Sequence, residues 1–217
     1  MQSASAANLQ FVVRTIAQVA VDNETQFCDL DAVVGDGDFG YSLARGFEII
    51  IADWDTIDRT SPSAFLQQVA ITISKRVGGT SGPIWGTAFL RAAIAVRDKQ
   101  DLTSDDVVAI LRSAAEGIKK RGNSDVGDKT LLDALVPMTD AIAMHLTADP
   151  TAAAAEIAEV ASKAARAAAD ATSAMRATRG RASYTGDRSI GSPDAGAIAV
   201  AVMAEAVARN WPPRASL

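Results

Sequence analysis

The stretch DAVVGDGDFG at residues 31–40 gathers three aspartates and three glycines within ten positions. Carboxylates that share a site repel one another, so a fold that brings three together usually holds a cation there. Oxygen ligands favour a hard ion, Mg²⁺ or Ca²⁺, over zinc, and Mg²⁺ is commonly bound by a few carboxylates plus substrate phosphates. The stretch therefore predicts a metal and nucleotide site at Asp31, Asp36 and Asp38. A solvated acidic turn is the alternative.

The spacing of these aspartates is compatible with one shared site. Asp36 and Asp38 are two residues apart, which puts both carboxylates on one side of an extended backbone. Asp31 can return to the same point because Gly35 permits a sharp turn. An EF-hand does not fit, because the sixth position counted from Asp36 is Tyr41 and not glycine.

Length, composition and charge narrow the class of protein. The 217 residues fit one domain, and 48% hydrophobic with 22% charged residues is typical of globular proteins. A net charge of −5 argues against a nucleic-acid partner. Cys28 is the only cysteine, so a disulfide within the chain and a thiolate metal cluster are excluded. Because neither a signal peptide nor an apolar run of membrane-spanning length is evident, we expect a cytoplasmic protein with no membrane partner.

Apolar residues recur at the three- and four-residue spacing of helices, and the period-two alternation of strands is absent. One example is the series Phe65, Val69, Ile73 and Val77. The pattern predicts an all-α fold of eight helices, at about residues 5–28, 40–57, 62–77, 82–98, 104–121, 129–147, 151–177 and 193–209.

The predicted helices carry start and stop signals. Starts are predicted at Ser61 before Pro62, at Thr103 paired with Asp106, and at Asp149 before Pro150. Gly122 and Gly180 are predicted just past helix ends, where glycine most easily adopts a left-handed cap.

Three connections, residues 29–39, 121–128 and 178–192, differ from ordinary short loops. Residues 178–192, here called the arginine loop, carry Arg179, Arg181 and Arg188 among glycines and hydroxyls. Long loops in compact helical domains tend to be functional or disordered.

Two predicted helix starts are candidate anion sites, because free backbone N–H groups and the helix dipole favour negative charge. One is the glycine-rich start at residues 78–83, with the Thr80 and Ser81 hydroxyls. The other is residues 39–42. The segment Gly127–Thr130, here called the GDKT turn, is not a P-loop, because Asp128 separates Gly127 from Lys129 and no strand precedes it. We expect Lys129 to face the start of the sixth helix or a phosphate.

His145 is the only histidine and lies near the end of a predicted helix. A Ser-His-Asp mechanism is excluded unless His145 itself is the base. Its position favours a role as a cap or dipole partner.

Four stretches resemble the L subunit, the nucleotide-binding subunit, of dihydroxyacetone kinases. They occur in the family's order and span nearly the whole chain: LDAVVGDGDFG at 30–40, GGTSGPIWGTAFLRAA at 78–93, GDKTLLDALVPM at 127–138 and GRASYTGDRSIGSPDAG at 180–196. The sequence departs from the family's usual motifs at two places. Phe39 stands where the family usually has histidine, and GTS at residues 79–81 stands in place of GAS.

This resemblance implies one domain over residues 1–217, folded as a closed barrel-like bundle of eight antiparallel helices with the nucleotide at one end. It also implies that Asp31, Asp36 and Asp38 bind two Mg²⁺ ions bridging the phosphates of ADP or ATP, and that Arg181 balances phosphate charge. Further implied nucleotide contacts are Phe39, Gly40, Tyr41, Ser42, Thr80, Ser81, Gly122, Leu131, Asp194, Ala195 and Gly196.

The activity implied is phosphoryl transfer to a small ketose held on a separate K-type subunit. The phosphoryl group comes from ATP, or from a phosphocarrier subunit of the sugar phosphotransferase system through bound ADP. The sequence leaves three matters open: the donor, the identity of the ketose, which includes tetruloses, and a homodimeric state. The alternative from another class is a non-catalytic nucleotide-binding regulatory partner.

Overall fold

The computed structural model describes residues 3–212, and within this range all regular structure is helical. The all-α prediction is confirmed. Three short 3-10 segments, Trp54–Thr56, Thr172–Ala174 and Arg181–Ser189, accompany the α-helices. The α-helices are α1 (Ala4–Asp22), α2 (Glu24–Ala32), α3 (Phe39–Ala52), α4 (Pro62–Arg76), α5 (Ser81–Ala95), α6 (Ser104–Gly122), α7 (Leu132–Ala148), α8 (Ala154–Ala171) and α9 (Ala195–Arg209).

The predicted first helix, residues 5–28, is two helices in the structure. Asn23 separates α1 from α2, and its backbone N–H and side-chain amide both donate to the Val19 carbonyl, at 3.0 and 2.9 Å. Asparagine side chains compete in this way with the regular helical hydrogen bonds. The prediction of eight helices is therefore wrong by one within the described residues.

The helices contact one another in a cyclic order. From α3 to α9 each helix packs against the next, while α1 packs against both α3 and α9. The extra helix α2 lies against α3. Each helix therefore has two packed neighbours, as a closed bundle requires; the barrel-like shape and the single domain over residues 1–217 stay predictions.

The core contains large aromatic side chains in α3 and α5 and many small side chains in α8 and α9. Phe47 of α3 is fully buried between the rings of Trp85 and Phe89 of α5, with centroids 6.5 and 6.3 Å away. In α8, by contrast, Ala165 and Ala169 are fully buried. Small side chains let helices approach closely, which fits the packing of α8 against α7 and α9.

Two of the predicted helix starts are confirmed. The Ser61 hydroxyl accepts from the Ala64 N–H at 3.1 Å. Thr103 and Asp106 form a reciprocal capping box at the start of α6.

The other cap predictions are wrong. Asp149 accepts from the Thr151 N–H at 2.9 Å, which forms a turn, and α8 begins only at Ala154. Asn123, not glycine, adopts the left-handed conformation after α6, with φ 46°. Gly180 also has positive φ, but it directly precedes the 3-10 segment Arg181–Ser189 and does not follow the end of α8, which is at Ala171.

The capping box predicts an acid-sensitive contribution to stability. The Thr103 N–H donates to Asp106 at 2.9 Å and holds the pKa of Asp106 below its usual value, against the effect of burial. A depressed folded-state pKa stabilises the fold above the unfolded-state pKa, near 4, and the contribution is lost as the pH falls through the folded-state pKa. Asp106→Asn should lower the unfolding free energy by about 1 kcal/mol at pH 7, and the difference from wild type should shrink below about pH 4.

Denaturant unfolding at several pH values measures this effect. Asp105→Asn is the matched control, because Asp105 is exposed in the same first turn; its effect should stay within about 0.5 kcal/mol. A deficit in Asp106→Asn that does not change with pH would contradict the assignment.

A further property concerns membranes. Among the residues that the structure describes, none of the helices combines the length and apolar character needed to cross a bilayer.

Candidate functional site

The structure brings Asp31, Asp36 and Asp38 together; we call these three the aspartate cluster. Asp31 lies in the last turn of α2, Asp36 in the connection that follows, and Asp38 directly before α3. One carboxylate oxygen from each side chain lies within 4.8 Å of the other two. Asp31 is half-buried, while Asp36 and Asp38 are exposed. Three oxygens at this separation, open to solvent, can hold a cation between them.

The glycines around the cluster set its backbone path. Gly37 has a φ of 74°, which glycine adopts without strain. Its N–H donates to Asp31 Oδ2 at 2.9 Å, which anchors the Asp31 side chain. At Gly35 a side chain would overlap the Asp31 carboxylate. The turn therefore depends on small residues at both positions.

Arg181 of the arginine loop lies directly on the cluster. Its Nη1 contacts Asp36 Oδ2 and lies 3.9 Å from Asp38 Oδ2. The side chains remain partly exposed, so the pair is accessible to solvent. The cluster thus attracts positive charge in the structure itself, and its all-oxygen donor set fits Mg²⁺.

The two predicted anion sites lie close to each other, and the one at the start of α3 adjoins the cluster. The α3 start follows Asp38 directly, and the buried Ser42 in its first turn lies near Gly78, where a built Cβ would be 3.3 Å from Ser42 Oγ. Thr80 precedes α5 and makes no side-chain capping bond with the described residues, and Ser81 is the first residue of α5. The N-terminal dipoles of α3 and α5 therefore lie at the same end of the molecule.

The residues that follow Asp38 divide between core and surface. Phe39 packs against Phe27, with ring centroids 6.0 Å apart. Gly40 is buried against the backbone of α2. Tyr41 is exposed, and the Arg45 guanidinium lies 5.0 Å from its ring centroid. The side chain at position 39 therefore packs against the hydrophobic core.

A second group of predicted contacts gathers around the start of α9. Asp194 caps α9 by accepting from the Ala197 N–H at 2.8 Å. Ala195 is the first residue of the helix, and a Cβ built on Gly196 would lie 3.3 Å from Leu131 Cβ. Gly122 is instead close to Ile84 of α5, where a built Cβ would lie 3.3 Å from Ile84 Cδ1.

Asp194 has an unusual electrostatic environment. Removal of its carboxylate from water raises its pKa to about 7, although the helix N–H groups and the nearby Lys129 act in the opposite direction. Asp133, close by, adds to the increase. This environment favours the neutral form of the Asp194 carboxyl relative to that of an exposed aspartate.

Sequence reasoning missed Asp133 and misplaced Lys129. Asp133 is buried and accepts from the Gly127 and Thr130 N–H groups at 2.5 and 2.7 Å. Its signal was the spacing of Thr130 and Asp133, which is that of a capping box. The Lys129 ammonium donates to the Ser189 and Ser192 carbonyls of the arginine loop, so its predicted placement at the start of α7 is wrong.

The predicted structural role of His145 fits its position. It lies in the last turn of α7, with Nε2 3.1 Å from Glu156 Oε1 of α8. It makes none of the contacts described for the aspartate cluster.

The comparison with protein-family models decides the family. The DAK2 domain model matches residues 33–209, most of the chain. The chain belongs to the DAK2 domain family. The resemblance drawn from the four sequence stretches is thereby confirmed.

Relatives of this DAK2 chain are kinases or kinase subunits. It is 36% identical over 179 residues to the ADP-binding subunit DhaL of a PEP-dependent dihydroxyacetone kinase from Escherichia coli, covering 82% of this chain and 84% of that one. Identity to the corresponding subunit of kinase 1 from Listeria innocua is 33%, covering 86% and 87%. An L-erythrulose 1-kinase from Mycolicibacterium smegmatis is 33% identical over 94% of this chain, but only 36% of its own length is matched.

A solved structure shares the fold. The dihydroxyacetone kinase from C. freundii, in complex with AMP-PNP and Mg²⁺, superposes with a TM-score of 0.75 at 26% identity. The match covers 96% of the DAK2 chain but 34% of the C. freundii chain. This chain therefore corresponds to about a third of that kinase.

Proposed function

We propose that this chain is the nucleotide-binding subunit of a dihydroxyacetone-type kinase. It transfers a phosphoryl group to a small ketose that is held on a separate K-type subunit. The observation that carries the proposal is the aspartate cluster, which contacts Arg181 and directly precedes the start of α3. Support comes from the 36% identity to an ADP-binding subunit.

The cluster is assigned to metal binding. Asp31, Asp36 and Asp38 would hold Mg²⁺, two ions in our proposal, and the bound metal would neutralise phosphate charge. The Gly37 N–H fixes one oxygen of Asp31, which limits how its carboxylate can turn. Preorganised ligands of this kind lose little conformational freedom on binding.

The phosphates are assigned to the two helix starts and the arginine. The backbone N–H groups of Phe39 and Gly40 and the hydroxyls of Thr80 and Ser81 would bind phosphate oxygens. The N–H groups of Tyr41 and Ser42 already donate to Cys28 Sγ and the Asp38 carbonyl. Arg181, already on the cluster, would move its guanidinium from Asp36 to the transferring phosphoryl group. Phosphoryl transfer needs chiefly positioning and charge stabilisation, which these groups supply.

The nucleoside is assigned to the region around α6, α7 and α9. Gly122, Leu131, Asp194, Ala195 and Gly196 would line it. Gly196 and Leu131 are already in close approach, so a larger residue at position 196 would narrow this region.

The histidine content of the chain and the names of its relatives bear on where the ketose binds and on which phosphoryl donor is used. The chain's only histidine, His145, lies against Glu156, and in our proposal the histidine that binds the ketose belongs to the K-type subunit. Relatives named PEP-dependent favour a phosphocarrier that acts through bound ADP, with direct use of ATP as the other donor. The M. smegmatis relative favours a four-carbon ketose as the second candidate substrate.

Reconstitution tests the proposal. The chain is mixed with Mg²⁺, a K-type subunit and dihydroxyacetone or erythrulose, with either ATP or ADP plus phosphoenolpyruvate and a phosphocarrier. We expect ketose phosphate in one donor arm and none when this chain is omitted. Tight ADP retention without product in either arm would contradict the kinase proposal and favour the regulatory alternative. The homodimer and the cytoplasmic location stay predictions.

A further inference from the structure

The GDKT turn, between α6 and α7, binds the arginine loop through a buried lysine. Lys129 is 2% exposed and has a φ of 61°. Its Nζ donates to the carbonyls of Met175, Ser189 and Ser192, with distances of 3.2 Å to Met175 and 2.7 Å to Ser192. An ammonium has three N–H donors, so the side chain is saturated by these carbonyls. Lys129 has none left for a phosphate.

The neighbouring Asp128 makes a second connection to the same loop. The Thr178 hydroxyl donates to Asp128 Oδ1 at 2.5 Å, and the Thr178 N–H donates to the Asp128 carbonyl at 3.2 Å. Arg179 Nε lies 3.3 Å from Asp128 Oδ2. Consecutive residues of the GDKT turn thus hold both ends of the loop: Asp128 the beginning and Lys129 the end.

Outside the GDKT turn, the arginine loop makes fewer contacts with the rest of the chain. Tyr184 is 89% exposed and Ile190 49% exposed, so these large apolar side chains add little burial. Gly180, Gly186 and Gly191 all have positive φ, which marks sharp turns and not regular structure. Ser189 is fully buried; its hydroxyl accepts from the Ala177 N–H just before the loop and donates to the Gly186 carbonyl. The Gly191 N–H donates to the Ser173 carbonyl at 2.8 Å. Apart from these local bonds and the ion pair of Arg181 with Asp36, the GDKT turn supplies most of the contacts that hold the loop to distant parts of the chain.

We infer that the GDKT turn is the docking point of the arginine loop, and that Lys129 is a positioning residue that holds Arg181 at the aspartate cluster. The inference rests on the proposed function, because it gives Arg181 a role in nucleotide binding. It assigns the GDKT motif to loop anchoring and not to nucleotide contact.

Lys129→Met tests this role, because methionine keeps the apolar length and removes the three donors. We expect faster amide hydrogen exchange over residues 178–192 and an affinity for ADP with Mg²⁺ about tenfold lower, as expected for the loss of charge-assisted hydrogen bonds. Lys163→Met is the matched control, since Lys163 is exposed and, among the residues that the structure describes, forms an ion pair only with Glu159 on its own helix; both readouts should stay unchanged.

A double variant separates positioning from general stability. With Arg181→Ala already present, adding Lys129→Met should cost less than about twofold in affinity, because contacts that act through one residue are not additive. An equal tenfold loss in both backgrounds would overturn the inference. Wild-type affinity in Lys129→Met would also overturn it, whereas wild-type protein that binds no ADP would contradict the proposed function itself.

Thr178→Val tests the same anchoring of the arginine loop if the Lys129→Met variant does not fold. Thr178 is exposed, so the substitution removes one hydroxyl contact to Asp128 without opening the core. We expect an affinity loss of about threefold, again absent in the Arg181→Ala background. An unchanged affinity together with unchanged exchange in the loop would overturn the inference.

Discussion

Asp36→Ala and Asp38→Ala are each expected to lower the affinity for ADP in the presence of Mg²⁺ by at least about a hundredfold, which corresponds to about 2.7 kcal/mol. Each variant removes one of the three carboxylates whose oxygens lie within 4.8 Å of one another. A site that loses one charged oxygen ligand of a divalent ion keeps little of its affinity, because Mg²⁺ demands near-ideal coordination. Isothermal titration with ADP, with and without Mg²⁺, measures the loss.

The fold of both variants should survive, because both side chains are exposed. Helix content by circular dichroism is therefore expected to match wild type. Asp140→Ala is the matched control, since Asp140 is an exposed carboxylate on α7 and, within residues 3–212, forms an ion pair only with Arg112, at 4.0 Å. If either cluster variant binds ADP with wild-type affinity in Mg²⁺, the metal assignment is wrong.

Helix boundaries were predictable from the sequence where neighbouring residues determine them. The hydrophobic period and the Ser61–Pro62 start place α4 at Pro62–Arg76, close to the predicted 62–77. The break at Asn23 was not predictable in this way, because the apolar pattern continues across it. α1 ends where the Asn23 side-chain amide donates to the Val19 carbonyl. Neither the composition nor the apolar period of the sequence predicts this hydrogen bond.

In the candidate site, too, contacts between residues close in sequence were predictable and contacts between distant residues were not. Asp31, Asp36 and Asp38 could be brought together from the sequence, because seven or fewer residues and flexible glycines separate them. The environment of Lys129 could not, because its partners lie 46, 60 and 63 residues further along the chain. A lysine is usually exposed, so a buried one that bonds three carbonyls contradicts the ordinary expectation.

Gly40→Ala is expected to destabilise the protein and to disturb the aspartate cluster at the same time. A Cβ at this position would overlap the Glu24 carbonyl and lie 2.7 Å from the Cys28 N, both backbone atoms of α2. Backbone atoms cannot rotate aside, so α2 and α3 would have to separate. Overpacking of this kind costs up to about 3 kcal/mol, while alanine in place of glycine in a helix returns at most about 1 kcal/mol.

The net loss of about 2 kcal/mol should lower the Tm by roughly 4–8 °C for a chain of this size. ADP affinity should fall as well, because Asp31 is carried by α2 and Asp38 directly precedes α3. Gly78→Ala is the control for stability, since its Cβ would meet only the Ser42 side chain, at 3.3 Å from Oγ. A Gly40→Ala variant with the Tm of wild type would show that α2 and α3 are not in such close contact, and that the cluster is positioned by the connecting turn alone.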